Sequence, residues 1–96
     1  MEHFIDKFME YLIAEKNASP LTVEAYSKDL SQFMEFLYKS VGSESISVAS
    51  ISTNHIRDFI DFCFENGNEL STIERKVATL KSFFTFLEFR NYIENN

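Results

Sequence analysis

Apolar residues return along this chain at spacings of three and four in four separate stretches, the periodicity of helices that bury one face. Phe4, Phe8, Tyr11 and Leu12 make the first stripe, with Glu2, Asp6, Glu10 and Glu15 falling mostly on the other side, and predict a helix over 3–16. In Asn17-Ala18-Ser19-Pro20-Leu21-Thr22, the Ser19 hydroxyl can cap a free amide, and Pro20 fits the first helical position without losing a hydrogen bond. Val23, Tyr26, Leu30, Phe33 and Leu37 then oppose Glu24, Lys28, Gln32 and Glu35 until Gly42 ends the run, so a second helix is predicted over 20–40.

Residues 41–51 are rich in Ser and alternate apolar with polar positions, but no second such run exists to pair with, so they read as a loop. Ser52 or Thr53 caps a third helix over 53–66, whose apolar face is Ile56, Phe59, Ile60 and Cys63 and which Asn66-Gly67-Asn68 breaks. Ser71-Thr72-Ile73-Glu74 has the spacing of a capping box and opens a fourth helix over 71–90. Ile73, Val77, Leu80, Phe84 and Leu87 are its expected buried stripe, with Thr72, Arg75, Thr79 and Ser82 on the opposite, outward side.

Ninety-six residues suit one compact domain, 1–96, and 11 Phe with 45% hydrophobic residues supply ample core. With 2 Gly and 1 Pro the chain lacks the turn punctuation of a sandwich or barrel, so the expected class is all-α. Cys63 is the single cysteine, which excludes an internal disulfide and fits a reducing, cytoplasmic setting. No apolar run approaches the roughly 20 residues that span a bilayer, and no membrane partner is expected. The net charge of −6 argues against nucleic acid, but its distribution is uneven. Residues 1–70 carry 5 basic and 12 acidic side chains, whereas residues 71–90 carry 4 basic and 2 acidic. The fourth helix is the only locally basic segment.

No constellation of a hydrolase, metal site or phosphate loop is present. His3 and His55 are far apart, the carboxylates are scattered over exposed faces, and Cys63 falls in an apolar stripe. No cofactor is expected. What remains is the polar face of the fourth helix, where Thr72, Arg75, Lys76, Thr79, Lys81 and Ser82 offer short hydroxyls and cations on a rigid rod able to meet phosphates and base edges.

The stretches Phe8-Met-Glu-Tyr-Leu12, Lys16-Asn-Ala-Ser-Pro-Leu-Thr-Val-Glu-Ala-Tyr26, Asp29-Leu30 and Phe33-Met-Glu-Phe-Leu37 resemble the opening of phage-integrase and Xer-type tyrosine recombinases. Ile56-Arg-Asp-Phe-Ile60, the run from Leu70 to Leu87 and the terminal Tyr92-Ile-Glu-Asn-Asn96 are similar to the rest of that domain. The resemblance implies a compact orthogonal, SAM-like bundle of four helices: the core-binding domain that forms one jaw of a clamp on double-stranded DNA. Carried over by position, the DNA-facing residues are Ser71, Thr72, Arg75, Lys76, Thr79, Lys81 and Ser82 on the fourth helix, and Ser19, Thr22 and Lys28 on the second, with Arg75 foremost.

In that family the catalytic tyrosine, two arginines, a histidine-rich motif and usually a lysine belong to a following domain, which this chain lacks, so no enzyme activity of its own is expected. His55-Ile56-Arg57 does not match the family's His-x-x-Arg spacing, and Tyr11, Tyr26, Tyr38 and Tyr92 read as core or boundary aromatics. Other recombinase protomers are implied partners in the full-length protein, and the isolated domain is expected to be a monomer. The strong acidity departs from the family and motivates the alternative of a helical protein-interaction module, with Asp58, Asp61, Glu65 and Glu69 facing a basic partner. The two part on Arg75: an internal ion pair there, or acidic side chains crowding that surface, would end the DNA reading.

Overall fold

A computed structural model of the chain describes residues 1–42 and 46–94. Its helices are α1 (Glu2–Ala14), α2 (Pro20–Val41), α3 (Thr53–Glu65) and α4 (Leu70–Phe89), each within two residues of its predicted bounds, and no strand occurs among the described residues. The molecule is an all-α bundle with a radius of gyration of 13.1 Å, close to the value of about 13 Å for a compact chain of this length.

The local signals act mostly as the sequence implies. Ser19 is the N-cap of α2, its hydroxyl accepting the Thr22 amide at 3.2 Å with Pro20 opening the helix. Gly42 ends that helix at φ +74°, a left-handed conformation that favours glycine. Ser52 precedes α3, and its amide donates to His55 Nδ1 at 2.9 Å. The start of α4 differs from expectation. Its N-cap is Glu69, whose carbonyl already accepts the Ile73 amide at 3.1 Å, so Ser71 stands inside the first turn and the Ser71–Glu74 capping box is not formed. The loop before α3 contains a short 3-10 turn, Val48–Ser50, that drives Val48 into the core. The remainder of that predicted loop, residues 43–45, lies outside the described residues.

Helices α2 and α4 pack on each other, and α1 and α3 each pack on both. The core between them is rich in phenylalanine. Phe8 of α1 meets Phe83 and Phe86 of α4 at ring distances of 5.5 and 5.4 Å, while Phe33 and Phe36 of α2 meet Phe59 of α3 at 5.2 and 5.5 Å. After α4 the chain turns at Asn91 (φ 59°) and lays Tyr92 against Phe4, 5.1 Å away. Arg90 covers the Tyr11 and Phe86 rings and pairs with Glu15, tying the end of α4 to the end of α1.

The buried stripe of α4 is rotated from the expected one. Ile73, Lys76, Leu80, Phe83 and Leu87 form its inner line, flanked by Thr79 and Phe86, whereas Val77 and Phe84 are only half-buried. Two polar residues expected outside, Lys76 and Thr79, are therefore inside.

Candidate functional site

A helix interior accepts a lysine and a threonine only if their polar atoms are satisfied. Both find the same partner. Asp29 sits on α2 three residues after Tyr26 and four before Phe33, within that helix's inward stripe, and is almost wholly buried where α2 faces α4. The Arg75 guanidinium grips it side-on, Nε to Oδ2 at 3.1 Å and Nη2 to Oδ1 at 2.7 Å. Lys76 Nζ reaches Oδ1 at 3.2 Å and also donates to Gln32 Oε1. The Thr79 hydroxyl lies 2.9 Å from Oδ2 and 3.0 Å from the Arg75 carbonyl; with one proton to give, it donates to one of them at a time.

Burial alone would push the Asp29 carboxyl up, but hydrogen bonds from Arg75, Thr79 and Lys76, helped by the lysine charge, hold it below its ordinary value of 3.8. The bond to Asp29 in turn makes Arg75 harder to deprotonate, outweighing burial. One carboxylate thus faces two cations, and the cluster carries one net positive charge. The exposures of the cations differ sharply: the Lys76 side chain is 6% exposed and that of Arg75 48%. Lys76 and Thr79 are interior struts, whereas Arg75 stands at the boundary with one edge turned inward.

The other expected contact residues are scattered. Ser71, Lys81 and Ser82 are exposed on α4, and Thr72 is half-buried. At 3.6 residues per turn, Ser71 and Ser82 project within about 40° of Arg75, with Lys81 about 120° round. The outer ridge of α4 is thus Ser71, Arg75, Ala78, Ser82 and Thr85, flanked by Lys81 and one acid, Glu74, all exposed. On α2, Thr22 points within about 20° of Asp29, but Ser19 and Thr22 hydroxyls bond each other at 2.9 Å in the cap. Lys28 is 4.0 Å from Glu24 and lines a groove of about 510 Å³ with Met9, Ile13 and Val23, on the α1 side of the helix. The ten residues do not gather into one patch.

Asp29 and Gln32 were not expected in the site. Asp29 stands among apolar stripe positions, the available signal for a buried charge; Gln32 was expected on the outer face. Cys63 is buried, which raises its thiol pKa, as befits a packed residue. Among the described residues no group of three or more His, Cys, Asp and Glu could hold a metal ion, and no helix is long and apolar enough to cross a membrane.

The small helical bundle thus buries one carboxylate between two cations and exposes a ridge of short hydroxyls on α4. The chain belongs to the family described as phage integrase, N-terminal SAM-like domain, whose model matches residues 5–91. It is 41% identical over its full length to tyrosine recombinase XerC of Oceanobacillus iheyensis, covering 30% of that protein. Over 97% of the chain it is 33% identical to tyrosine recombinase XerD of Rickettsia bellii, covering 29%. The chain therefore spans about a third of the length of these relatives. No solved structure matches it.

Proposed function

We propose that these 96 residues form one domain, the core-binding part of a site-specific tyrosine recombinase. It grips duplex DNA in the cytoplasm as one jaw of a clamp, leaves the chemistry to residues outside it, and works with further recombinase protomers. Family membership along residues 5–91 is the observation that carries this reading. The outer ridge of α4 is the contact surface, with Arg75 and Lys81 as cations and Ser71 and Ser82 as hydroxyl donors. Thr72 and the α2 residues Ser19, Thr22 and Lys28 take the margin. Lys76 and Thr79 serve indirectly, by holding Asp29.

With Lys76 buried, two or three cations (Arg75, Lys81 and Lys28) are left to displace counterions, so log affinity should fall with log salt at a slope of about −2 to −3. An electrophoretic shift with a nonspecific duplex tests this. Raising salt from about 50 to about 200 mM should weaken binding roughly 15- to 65-fold. Absence of any shift at the lower salt refutes DNA contact by this chain.

One finding favours a second reading. Arg75 is held in an internal ion pair with Asp29, the arrangement expected to end the DNA reading, although the pair takes only one edge of the guanidinium; and Asp58, Asp61, Glu65 and Glu69 are all exposed around α3, a surface for a basic protein partner. That module would leave the duplex unshifted at both salt concentrations.

A further inference from the structure

The geometry points to Asp29 as a positioning residue that aims Arg75 at a phosphate while Lys76 keeps the assembly positive; this rests on the DNA reading above. A guanidinium has five N–H donors in a rigid plane. Asp29 takes the Nε proton and one from Nη2, so the plane is fixed by two bonds to a buried group. Nη1 and the second Nη2 proton make no hydrogen bond among the described residues, on a side chain 48% exposed. That free edge is itself a fork, the shape that takes two oxygens of a phosphate.

A surface arginine closed onto an unscreened aspartate would present a neutral pair to an anion. Here the aspartate is shared. Lys76, buried and bonded to the same Oδ1, answers the carboxylate from inside, which leaves the charge of Arg75 uncancelled toward solvent. Thr79, when its proton goes to Oδ2, restrains the carboxylate from the next turn of α4. Affinity would then depend on residues that never touch DNA, and in a direction opposite to simple charge counting. Removing the negative charge of Asp29 should weaken the complex, because a freed arginine loses its aim and must be ordered on binding.

The test measures anisotropy of a fluorescein-labelled nonspecific duplex at low salt, with the whole 96-residue chain and with variants checked for helicity. Arg75→Ala should weaken binding about tenfold, as loss of charge-assisted hydrogen bonds implies, and should reduce the salt slope by about one. Arg75→Lys, which keeps the charge but lacks the planar fork that holds two bonds to the carboxylate and two to a phosphate in one fixed plane, should fall nearly as far. Asp29→Asn should weaken binding severalfold, and adding Arg75→Ala to it should cost little more. Parent-like binding by Arg75→Lys, or equal or tighter binding by a folded Asp29→Asn, would overturn the positioning role. Parent-like binding by Arg75→Ala would remove Arg75 from the interface while leaving the DNA reading intact. A parent chain that moves no duplex at all would sink that reading, and this inference with it.

Discussion

Asp29→Ala makes the sharpest demand on the structure, because it strands a lysine. In the parent, Lys76 Nζ has two partners, Asp29 and Gln32, and its side chain is 6% exposed. Removing Asp29 leaves a buried ammonium with a single neutral acceptor. Breaking a buried pair in this way costs about 3–5 kcal/mol, most of it the desolvation of the orphaned charge. Arg75 adds little: half exposed, it relaxes into water and contributes at most about 1 kcal/mol. For a domain whose whole stability is of order 5–15 kcal/mol, the variant should be folded but fragile. Urea unfolding followed by far-UV circular dichroism at pH 7 reads this directly. With a slope of about 1–3 kcal/mol per molar, a cost of about 3–5 kcal/mol should lower the midpoint by about 1–5 M. The double variant Asp29→Leu with Lys76→Met removes the buried charges together and should recover most of the loss. A midpoint shift below about 0.5 M for Asp29→Ala would show that Lys76 reaches water, and a double variant no better than the single would show that lost packing, rather than a stranded charge, set the cost.

Because Asp29 titrates below its ordinary 3.8 in the folded chain, its contribution is intact above the unfolded value and is lost as pH falls through the lower folded one. Urea midpoints of the parent should therefore drop more steeply below about pH 4 than those of Asp29→Asn, and parallel curves would refute the paired carboxylate. Leu37, with no exposed surface, should cost about 2–5 kcal/mol on truncation to Ala, whereas Leu21, 77% exposed, should change stability by less than about 0.5 kcal/mol; similar melting temperatures for the two variants would contradict the packing.

The four helices were legible because their signals are local. Spacings of three and four, Pro20 after Ser19, and Gly42 and Gly67 after apolar runs each act within a turn of the chain. The inner face of α4 was harder to read, and the reason is physical. Periodicity weighs side chains by hydrophobicity, so it assigned Lys76 and Thr79 to the outside and drew the stripe through Val77 and Phe84. Their burial depends on a charge 47 and 50 residues earlier, which no window on α4 contains. Asp29 was visible only as a break in the α2 stripe, between Tyr26 and Phe33. The Ser71–Glu74 pattern misled similarly: a capping box satisfies amides only where a helix begins, and the Glu69 carbonyl had already begun this one.

Those buried contacts bear on how an acidic chain could meet a polyanion. Five of its nine basic side chains hold ion pairs among the described residues: Lys28, Lys39, Arg75, Lys76 and Arg90. For Lys28 and Lys39 the pairs are exposed and loose in energy, so an incoming phosphate can displace them. For Lys76 no such exchange is open, since its charge is committed to the α2–α4 contact. Counting basic residues along α4 therefore overstates what that helix offers to DNA, and net charge understates it, because the carboxylate nearest Arg75 is already neutralised from within. On the DNA reading proposed above, binding is decided by the local sum on one ridge, where Arg75 and Lys81 face a single acid, Glu74. Reversing that acid with Glu74→Lys should tighten duplex binding more than the same reversal at Asp61 on α3, and equal effects at the two sites would mean that only total charge matters.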